Sequence, residues 1–250
     1  TRILGPTITQ IAQAKAGIIK NGTKQVFLAP HQEKDTLTII KAKAHQQRVG
    51  LTQADAQSIV DGKAILKVNH KIYKVPFNLL GTFQSENLGT VVSVFNFLFQ
   101  RRLVTSWQPL LSTLATVKIA GRMQKIADHP SIILDGAHNP DAAKQLTETI
   151  SKFPRNKVIM VLGFLADKNI SQMVKIYQQM ADKIIITTPD HPTRALDVSE
   201  LKSALPQAII ADNPRKGLVV AKKIAEPNDL IIVTGSFYTI KDIEASLDEK

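Results

Sequence analysis

An aspartate and a histidine three residues apart are the side chains of this sequence best placed for chemistry. Asp135 and His138 lie in the segment Ser131–Ile150, where a short apolar run leads into a polar turn and then into apolar residues at helical spacing. Asn139 fits an N-cap and Pro140 the first helical position, because an N–H is not needed there. The turn therefore holds a carboxylate and an imidazole between a strand end and a helix N-terminus, where unpaired N–H groups and the helix dipole favour anions.

The elements that must position this turn belong to a regular alternation in the second half of the chain. Five apolar runs are each followed by a polar loop and a helical stretch, which predicts a mostly parallel sheet covered by helices on both faces. All five loops then open at one edge of the sheet, so Thr234-Gly235-Ser236 and the loops Gly163–Lys168 and Pro189–Ala195 can surround one crevice with Asp135 and His138. The predicted strands are Ser131–Leu134, Val158–Leu162, Lys183–Thr187, Ala208–Ala211 and Leu230–Val233, and the predicted helix starts are Asn139, Asn169, Asp197 paired with Glu200, Asn213, and Ser236 or Thr239.

The first half is patterned less regularly, and we place a domain boundary near residue 115. Lys15 lies near the end of a helix that Thr7 or Thr9 can cap, and its spacing alone indicates an exposed lysine. Gln84 and Asn87 lie one turn apart at the start of an apolar helix, where they either share a ligand or cap the helix. The remaining predicted elements are a strand at Val26–Ala29, a helix at Asp35–Gln47, a hairpin within Ala64–Pro76 that turns at Asn69-His70, and helices at Asn87–Leu98 and Leu103–Leu114.

Composition narrows the class of protein. The 250 residues are 44% apolar, enough for a real core, and the absence of cysteine excludes disulfides, thiolate catalysis and cysteine-bound metals. The net charge of +11 is uneven, because residues 1–115 carry 14 Lys and Arg against 5 Asp and Glu. Little aromatic interleaving accompanies these lysines, so they favour solvated faces or an acidic metabolite over nucleic acid. No apolar run reaches the length of a membrane span and no signal-peptide pattern is present, so we expect a cytoplasmic protein without a membrane partner.

Three motifs that would define an enzyme class are absent from the 250 residues. The lack of GxGxxG argues against a nicotinamide or flavin dehydrogenase, because no glycine-rich turn lets the backbone approach a pyrophosphate. The lack of GxxxxGK[ST] means that any triphosphate would need its cradle elsewhere, and GxSxG is also missing.

Seven segments nevertheless match one family in order along the chain. The sequence resembles folylpolyglutamate synthases, including the bifunctional dihydrofolate synthase form, within the Mur ligase superfamily. The resemblance implies a C-terminal Rossmann-like domain with a mostly parallel sheet at 116–250, preceded at 1–115 by the incomplete back half of an α/β P-loop-type ATPase domain. The matching segments are LGPTITQIAQAKAGIIKNG (Leu4–Gly22), FQSEN (Phe83–Asn87), GRMQ (Gly121–Gln124), DGAHNPD (Asp135–Asp141), ADKN (Ala166–Asn169), PTRAL (Pro192–Leu196) and VTGSFY (Val233–Tyr238).

The resemblance implies a reaction and its partners. Enzymes of this family use ATP and Mg²⁺ to phosphorylate a folate carboxylate and then join L-glutamate to the γ-carboxylate through the acyl phosphate. Cationic groups are needed because phosphate charge would otherwise repel an attacking carboxylate. The basic first half is consistent with a reduced, polyglutamylated folate as the acidic substrate, and we expect a monomer when the enzyme is complete.

The resemblance also implies roles for six residues. Lys15 corresponds to a lysine that is carbamylated in the family, which turns the amine into the hard oxygen ligand that Mg²⁺ prefers. Asn87, Arg122 and Asp135 correspond to nucleotide contacts, with Arg122 at phosphate and Asp135 on the side of the ribose or of the metal-bound water. His138 and Ser236 correspond to contacts with the incoming glutamate or the acyl phosphate.

The main departure from the family is the missing P-loop. The sequence does not begin with Met and corresponds to the rear part of such an enzyme, so we expect little or no ligase activity from it alone. Two alternatives remain open: another Mur-type amino-acid ligase of cell-wall synthesis, and a non-catalytic binding fragment.

Overall fold

The structure of the protein is a computed structural model that describes residue 5 and residues 7–68, 70–166 and 170–247. The chain forms two compact units, of which the first comprises Thr1–Asn78 with Phe83–Val117 and the second comprises Leu79–Thr82 with Lys118–Lys250. No helix in the described part of the chain is long and apolar enough to cross a membrane. The assignment of residues 1–115 and 116–250 to two ligase domains stays a prediction.

The first unit combines helices with two small sheets. Thr7 rather than Thr9 caps the first helix, because its side chain accepts the N–H of Gln10 while the Gln10 side chain accepts the N–H of Thr7. Strands β1 and β2 pair in parallel, whereas β3, β4 and β5 form an antiparallel sheet that confirms the predicted hairpin. Its elements are α1 (Ile8–Ala16), β1 (Gln25–Leu28), α2 (Lys34–Gln46), β2 (Gly50–Gln53), β3 (Ser58–Val60), β4 (Lys63–Val68), β5 (Lys71–Pro76), α3 (Gln84–Gln100) and α4 (Gln108–Thr116).

Two helices of this unit begin elsewhere than predicted. Helix α3 starts at Gln84, one turn before Asn87, because Gln84 is buried in the unit and its burial extends the helix without a capping side chain. Helix α4 starts at Gln108 rather than Leu103, since Pro109 is tolerated only in the first turn of a helix. Tertiary packing and a proline, rather than apolar spacing, therefore set these boundaries.

The second unit is the α/β sheet predicted from the alternation of strands and helices. Five strands run parallel, and every residue of β8 and β11 is buried, as expected for strands covered on both faces. Alternate strand residues pack against α8 and α9, while α5 packs against α6. Its elements are β6 (Gln124–Asp128), β7 (Ser131–Leu134), α5 (Pro140–Ser151), β8 (Val158–Leu162), α6 (Ile170–Gln178), β9 (Lys183–Thr187), α7 (Val198–Ala204), β10 (Ile209–Ala211), α8 (Pro214–Ile224), β11 (Leu230–Thr234) and α9 (Phe237–Leu247).

The order of the strands decides which loops become neighbours. The sheet runs β10-β9-β8-β11-β7-β6, so the last strand of the chain is inserted between β7 and β8. Strand β6, which the alternation did not predict, adds to the edge antiparallel to β7. The loops that follow β7 and β11 therefore lie side by side at the carboxyl edge of the sheet.

The helix starts in the second unit follow the predicted caps in most cases. Asn139 and Asn213 each accept an N–H from the first turn of their helix, at 2.8 and 2.9 Å. Asp197 accepts from Ser199, but the predicted pairing with Glu200 is not formed. The predicted cap at Asn169, together with Lys168 and the turn residue Asn69, lies outside the described residues.

Candidate active site

The loop after β7 is joined to the loop after β11 by the sheet itself. Leu134 pairs with Val233, and the N–H of Asp135 donates to the carbonyl oxygen of Val233 at 3.0 Å. Asp135 and Ser236 thus begin their loops from adjacent strands that point the same way. Two of the loops that were predicted to surround one crevice therefore lie side by side at this edge.

Asp135 holds a second loop in place. The carboxylate is 5% exposed, and its two oxygens accept the backbone N–H groups of Met123 and Ala137, each at 2.9 Å. The N–H of Gly136 also donates to the carbonyl oxygen of Gly121 at 2.7 Å. Burial raises the pKa of Asp135 above its ordinary value of 3.8, and the two N–H donors, together with the charges of Arg122 and His138, act against that rise.

The segment Gly121–Gln124 is a tight turn that this bonding stabilises. Gly121 and Met123 have φ values of 61° and 47°, and the N–H of Gly121 donates to the Gln124 side chain at 2.8 Å. A left-handed conformation is uncommon for methionine, but here it aims the Met123 N–H at Asp135 and buries the side chain. Arg122, between them, is left exposed at the surface.

His138 is half-buried, and its tautomer follows from its partner. Nδ1 lies 2.8 Å from the carbonyl oxygen of Gly136, which can only accept, so Nδ1 carries the proton. In the neutral ring Nε2 is then an acceptor. The ring lies against Phe237, with a centroid separation of 5.9 Å.

Ser236 is buried and caps α9. Thr239 Oγ1 donates to the carbonyl oxygen of Gly163, so the proton between the two hydroxyls comes from Ser236, whose Oγ also accepts the Thr239 N–H at 3.1 Å. The hydroxyl is 2% exposed and its proton points inward. Capping of α9 and the hydrogen bond to the Thr239 hydroxyl occupy the Ser236 side chain, and its predicted contact with substrate stays a prediction.

Lys15 and Asn87 belong to the first unit, whereas Arg122, Asp135, His138 and Ser236 come together in the second. Lys15 is exposed in the last turn of α1. Asn87 is exposed on α3 and donates to the Gln84 side chain at 3.1 Å, so the interpretation of this pair as caps is wrong. The described residues contain no group of three His, Asp or Glu side chains that could hold a metal ion.

Sequence reasoning missed Phe237. The side chain is 40% exposed, its ring contacts Arg122 and His138, and a Cβ atom added to Gly121 or Gly136 would come within 3.4 Å of the ring. The available signal was an aromatic residue directly after Ser236, at the first position of a helix.

Comparison with known proteins finds similarity to one family over the residues that carry this geometry. Residues 121–237 match the family described as Mur ligase, glutamate ligase domain. The matched residues lie within the second unit and include the candidate residues Arg122, Asp135, His138 and Ser236 on loops at the carboxyl edge of its sheet.

The similarity extends over the whole chain. The dihydrofolate synthase/folylpolyglutamate synthase of Bacillus subtilis (strain 168) is 28% identical over 261 residues, covering 98% of this chain and 59% of that protein. Escherichia coli FolC in complex with DHPP and ADP is similar in structure with a TM-score of 0.84 and 24% identity, covering 100% of this chain and 59% of FolC. The bifunctional folylpolyglutamate synthase/dihydrofolate synthase of Yersinia pestis, complexed with AMPPNP and Mn ion, is similar in structure with a TM-score of 0.84 and 24% identity. The match covers 99% of this chain and 58% of that chain.

These comparisons confirm the resemblance. The chain is similar to dihydrofolate synthase/folylpolyglutamate synthases and spans about 59% of the length of the matched protein from B. subtilis.

Proposed function

We propose that this chain is part of an ATP-dependent ligase that joins L-glutamate to the γ-carboxylate of a folate through an acyl phosphate. The observation that carries the proposal is the convergence of GRMQ, DGAHNPD and VTGSFY at one edge of the sheet, where Asp135 bonds Met123 and Phe237 contacts Arg122 and His138. The B. subtilis relative is named for this activity, and the solved relatives hold adenine nucleotides. Because ATP and glutamate are cytoplasmic metabolites, the proposal places the reaction in the cytoplasm.

Arg122 is the residue that we assign to phosphate. Its guanidinium is exposed, and among the described residues it forms no ion pair within 4 Å, so its charge is available to an anion. Helices α5 and α9 follow the adjacent strands β7 and β11, and their N-termini add the positive ends of two helix dipoles. We assign Asp135 to holding the loop that carries Arg122, and we retain the predicted nucleotide contacts of Asp135 and Asn87 as part of the proposal.

His138 is assigned to the step in which glutamate enters. The amine attacks the carbonyl carbon of the acyl phosphate, the bond to the phosphate oxygen breaks, and a proton leaves the nitrogen as the amide forms. Nε2 of neutral His138 is the acceptor that we assign to that amine, because Nδ1 is occupied by Gly136. Ser236 joins this step only if its hydroxyl turns away from Thr239.

Magnesium would be held in part by Lys15. Bound metal neutralises phosphate charge, and an amine is not a ligand that Mg²⁺ favours, so Lys15 fits the ion only as an oxygen-bearing carbamate. Since the described residues contain no metal-binding cluster and the sequence contains no GxxxxGK[ST] motif, we expect these 250 residues alone to have little or no ligase activity.

The test is ATP hydrolysis by the complete protein encoded by the gene. We expect hydrolysis that requires both a reduced folate and glutamate. Stimulation only by a UDP-muramyl substrate would show that the protein is a cell-wall ligase, and a complete coding sequence without a P-loop would show a non-catalytic protein.

Two variants of the complete protein assign the residues. Lys15→Ala should abolish turnover, with partial rescue by an added short carboxylate, whereas the exposed lysine variant Lys20→Ala should be unaffected. His138→Ala should raise the KM for glutamate and leave ATP binding nearly intact, with the exposed His45→Ala as its control. Wild-type turnover of Lys15→Ala would refute the carbamate role, and loss of ATP affinity in His138→Ala would refute the assignment of that loop.

A further inference from the structure

We infer that Phe237 is a positioning residue whose ring supports the side chains of Arg122 and His138 and so sets where the phosphate-binding guanidinium lies. The inference rests on the proposed function of Arg122. It concerns a residue that makes none of the hydrogen bonds described above and that acts through its neighbours.

The ring of Phe237 is placed between the two functional side chains. The guanidinium carbon of Arg122 lies 4.8 Å from the ring centroid, within the range of a cation–π contact. The ring of His138 lies 5.9 Å away at an interplanar angle of 50°, within the range of aromatic pairs. One side chain therefore contacts a residue from each of the other two motifs that meet at this edge.

The ring of Phe237 lies so close to two neighbouring glycines that a side chain at either position would approach it. A Cβ atom on Gly136 would lie 2.5 Å from Cε1 of Phe237, and one on Gly121 would lie 3.4 Å from Cδ1. Gly136 does not have a positive φ, so its backbone does not require glycine. The close approach of the aromatic ring is what excludes a side chain at that position.

Core packing alone does not account for Phe237. The side chain is 40% exposed, whereas Ile240 and Ile243 on the same helix are 1% and 0% exposed and supply its apolar contacts. An arginine without partners has many rotamers, and an aromatic face that holds it in one orientation lowers the entropy lost on binding an anion. A contact of this kind corresponds to about a 3- to 30-fold effect on binding.

The contact itself can be tested in the 250-residue chain without activity. Protons of the Arg122 side chain should show upfield ring-current shifts in NMR spectra, and these should disappear in Phe237→Leu and remain in Phe237→Tyr. Arg155 is an internal reference, because its guanidinium donates to the carbonyl oxygens of Ser151 and Phe153 instead of resting on a ring. Unshifted Arg122 protons in the wild-type chain would overturn the inference.

The consequence is tested in the complete protein by a double-mutant cycle. Phe237→Leu should lower kcat/KM for ATP by about 3- to 30-fold, Phe237→Tyr should restore it, and Phe237→Leu should add nothing in an Arg122→Ala background. A loss that remains in that background would show that Phe237 does not act through Arg122 and would overturn the inference.

The outcomes separate this inference from the proposed function. If Arg122→Ala itself has wild-type kcat/KM, the proposed role of Arg122 fails. If Arg122→Ala is impaired and Phe237→Leu is not, the positioning role fails. If Phe237→Leu has a strongly lowered melting temperature, Gly136→Ala replaces it, because the added Cβ displaces the ring without changing it chemically. A wild-type kcat/KM for ATP in Gly136→Ala would also overturn the inference.

Discussion

Replacement of Asp135 by asparagine tests whether this carboxylate is the tie between the two loops. Each of its oxygens accepts one backbone N–H in a site that is 5% exposed. Asparagine has one oxygen, so the N–H of either Met123 or Ala137 would face an NH₂ group. That N–H and the NH₂ group would then both be buried without an acceptor. A buried unsatisfied group costs about 1–3 kcal/mol, so two such groups should lower the free energy of unfolding by about 2–6 kcal/mol, or the melting temperature of this unit by about 6–18 °C.

The measurement is a denaturant or thermal melt, combined with amide hydrogen exchange. The amide of Met123 or of Ala137 should exchange faster in Asp135→Asn, because asparagine keeps an acceptor for only one of the two. Asp141→Asn is the matched control, since it removes a carboxylate from an exposed position in the first turn of α5. If Asp135→Asn and Asp141→Asn have the same melting temperature and both amides keep their protection from exchange, the Asp135 carboxylate does not hold the two loops together.

Three further predictions concern the framework of the second unit. Gly235→Ala should destabilise the unit, because Gly235 has a φ of 108° and an added Cβ would lie 2.5 Å from the carbonyl oxygen of Gly163; a melting temperature equal to wild type would contradict this. Asn213→Ala should lower the free energy of unfolding by about 0.5–2 kcal/mol through loss of the cap of α8, while Asn213→Ser should retain most of it. The pKa of Asp197 is lowered from 3.8 by its hydrogen bonds to Ser199, so its stabilisation is present above that pH and lost as the pH falls through the lowered pKa; a ¹³C titration of the carboxyl at or above 3.8 would refute the cap.

The position of the loops around the site could be predicted from local sequence patterns. Apolar runs separated by helical stretches require parallel strands, and parallel strands place their following loops at one edge. The placement of Asp135, His138 and Ser236 at the same edge of the sheet follows from that rule and is seen in the structure. The caps Asn139 and Asn213 were also predictable, because a cap depends on three or four neighbouring residues.

The contacts between these loops depended on tertiary structure. Strand order is not encoded in periodicity, and only the insertion of β11 between β7 and β8 brings the Ser236 loop beside that of Asp135. The inward proton of Ser236 depends on Gly163, which follows another strand.

The sequence by itself therefore determined the class of sheet, its capped helices and the segments that carry the candidate site, because each of these depends on neighbouring residues or on motif spacing. The tertiary structure alone decided the bonds of Asp135 to Met123 and the place of Phe237 beneath Arg122. These partners are far apart along the chain, and whether they meet depends on how the strands are ordered and how closely the glycine-bearing loops can approach one ring.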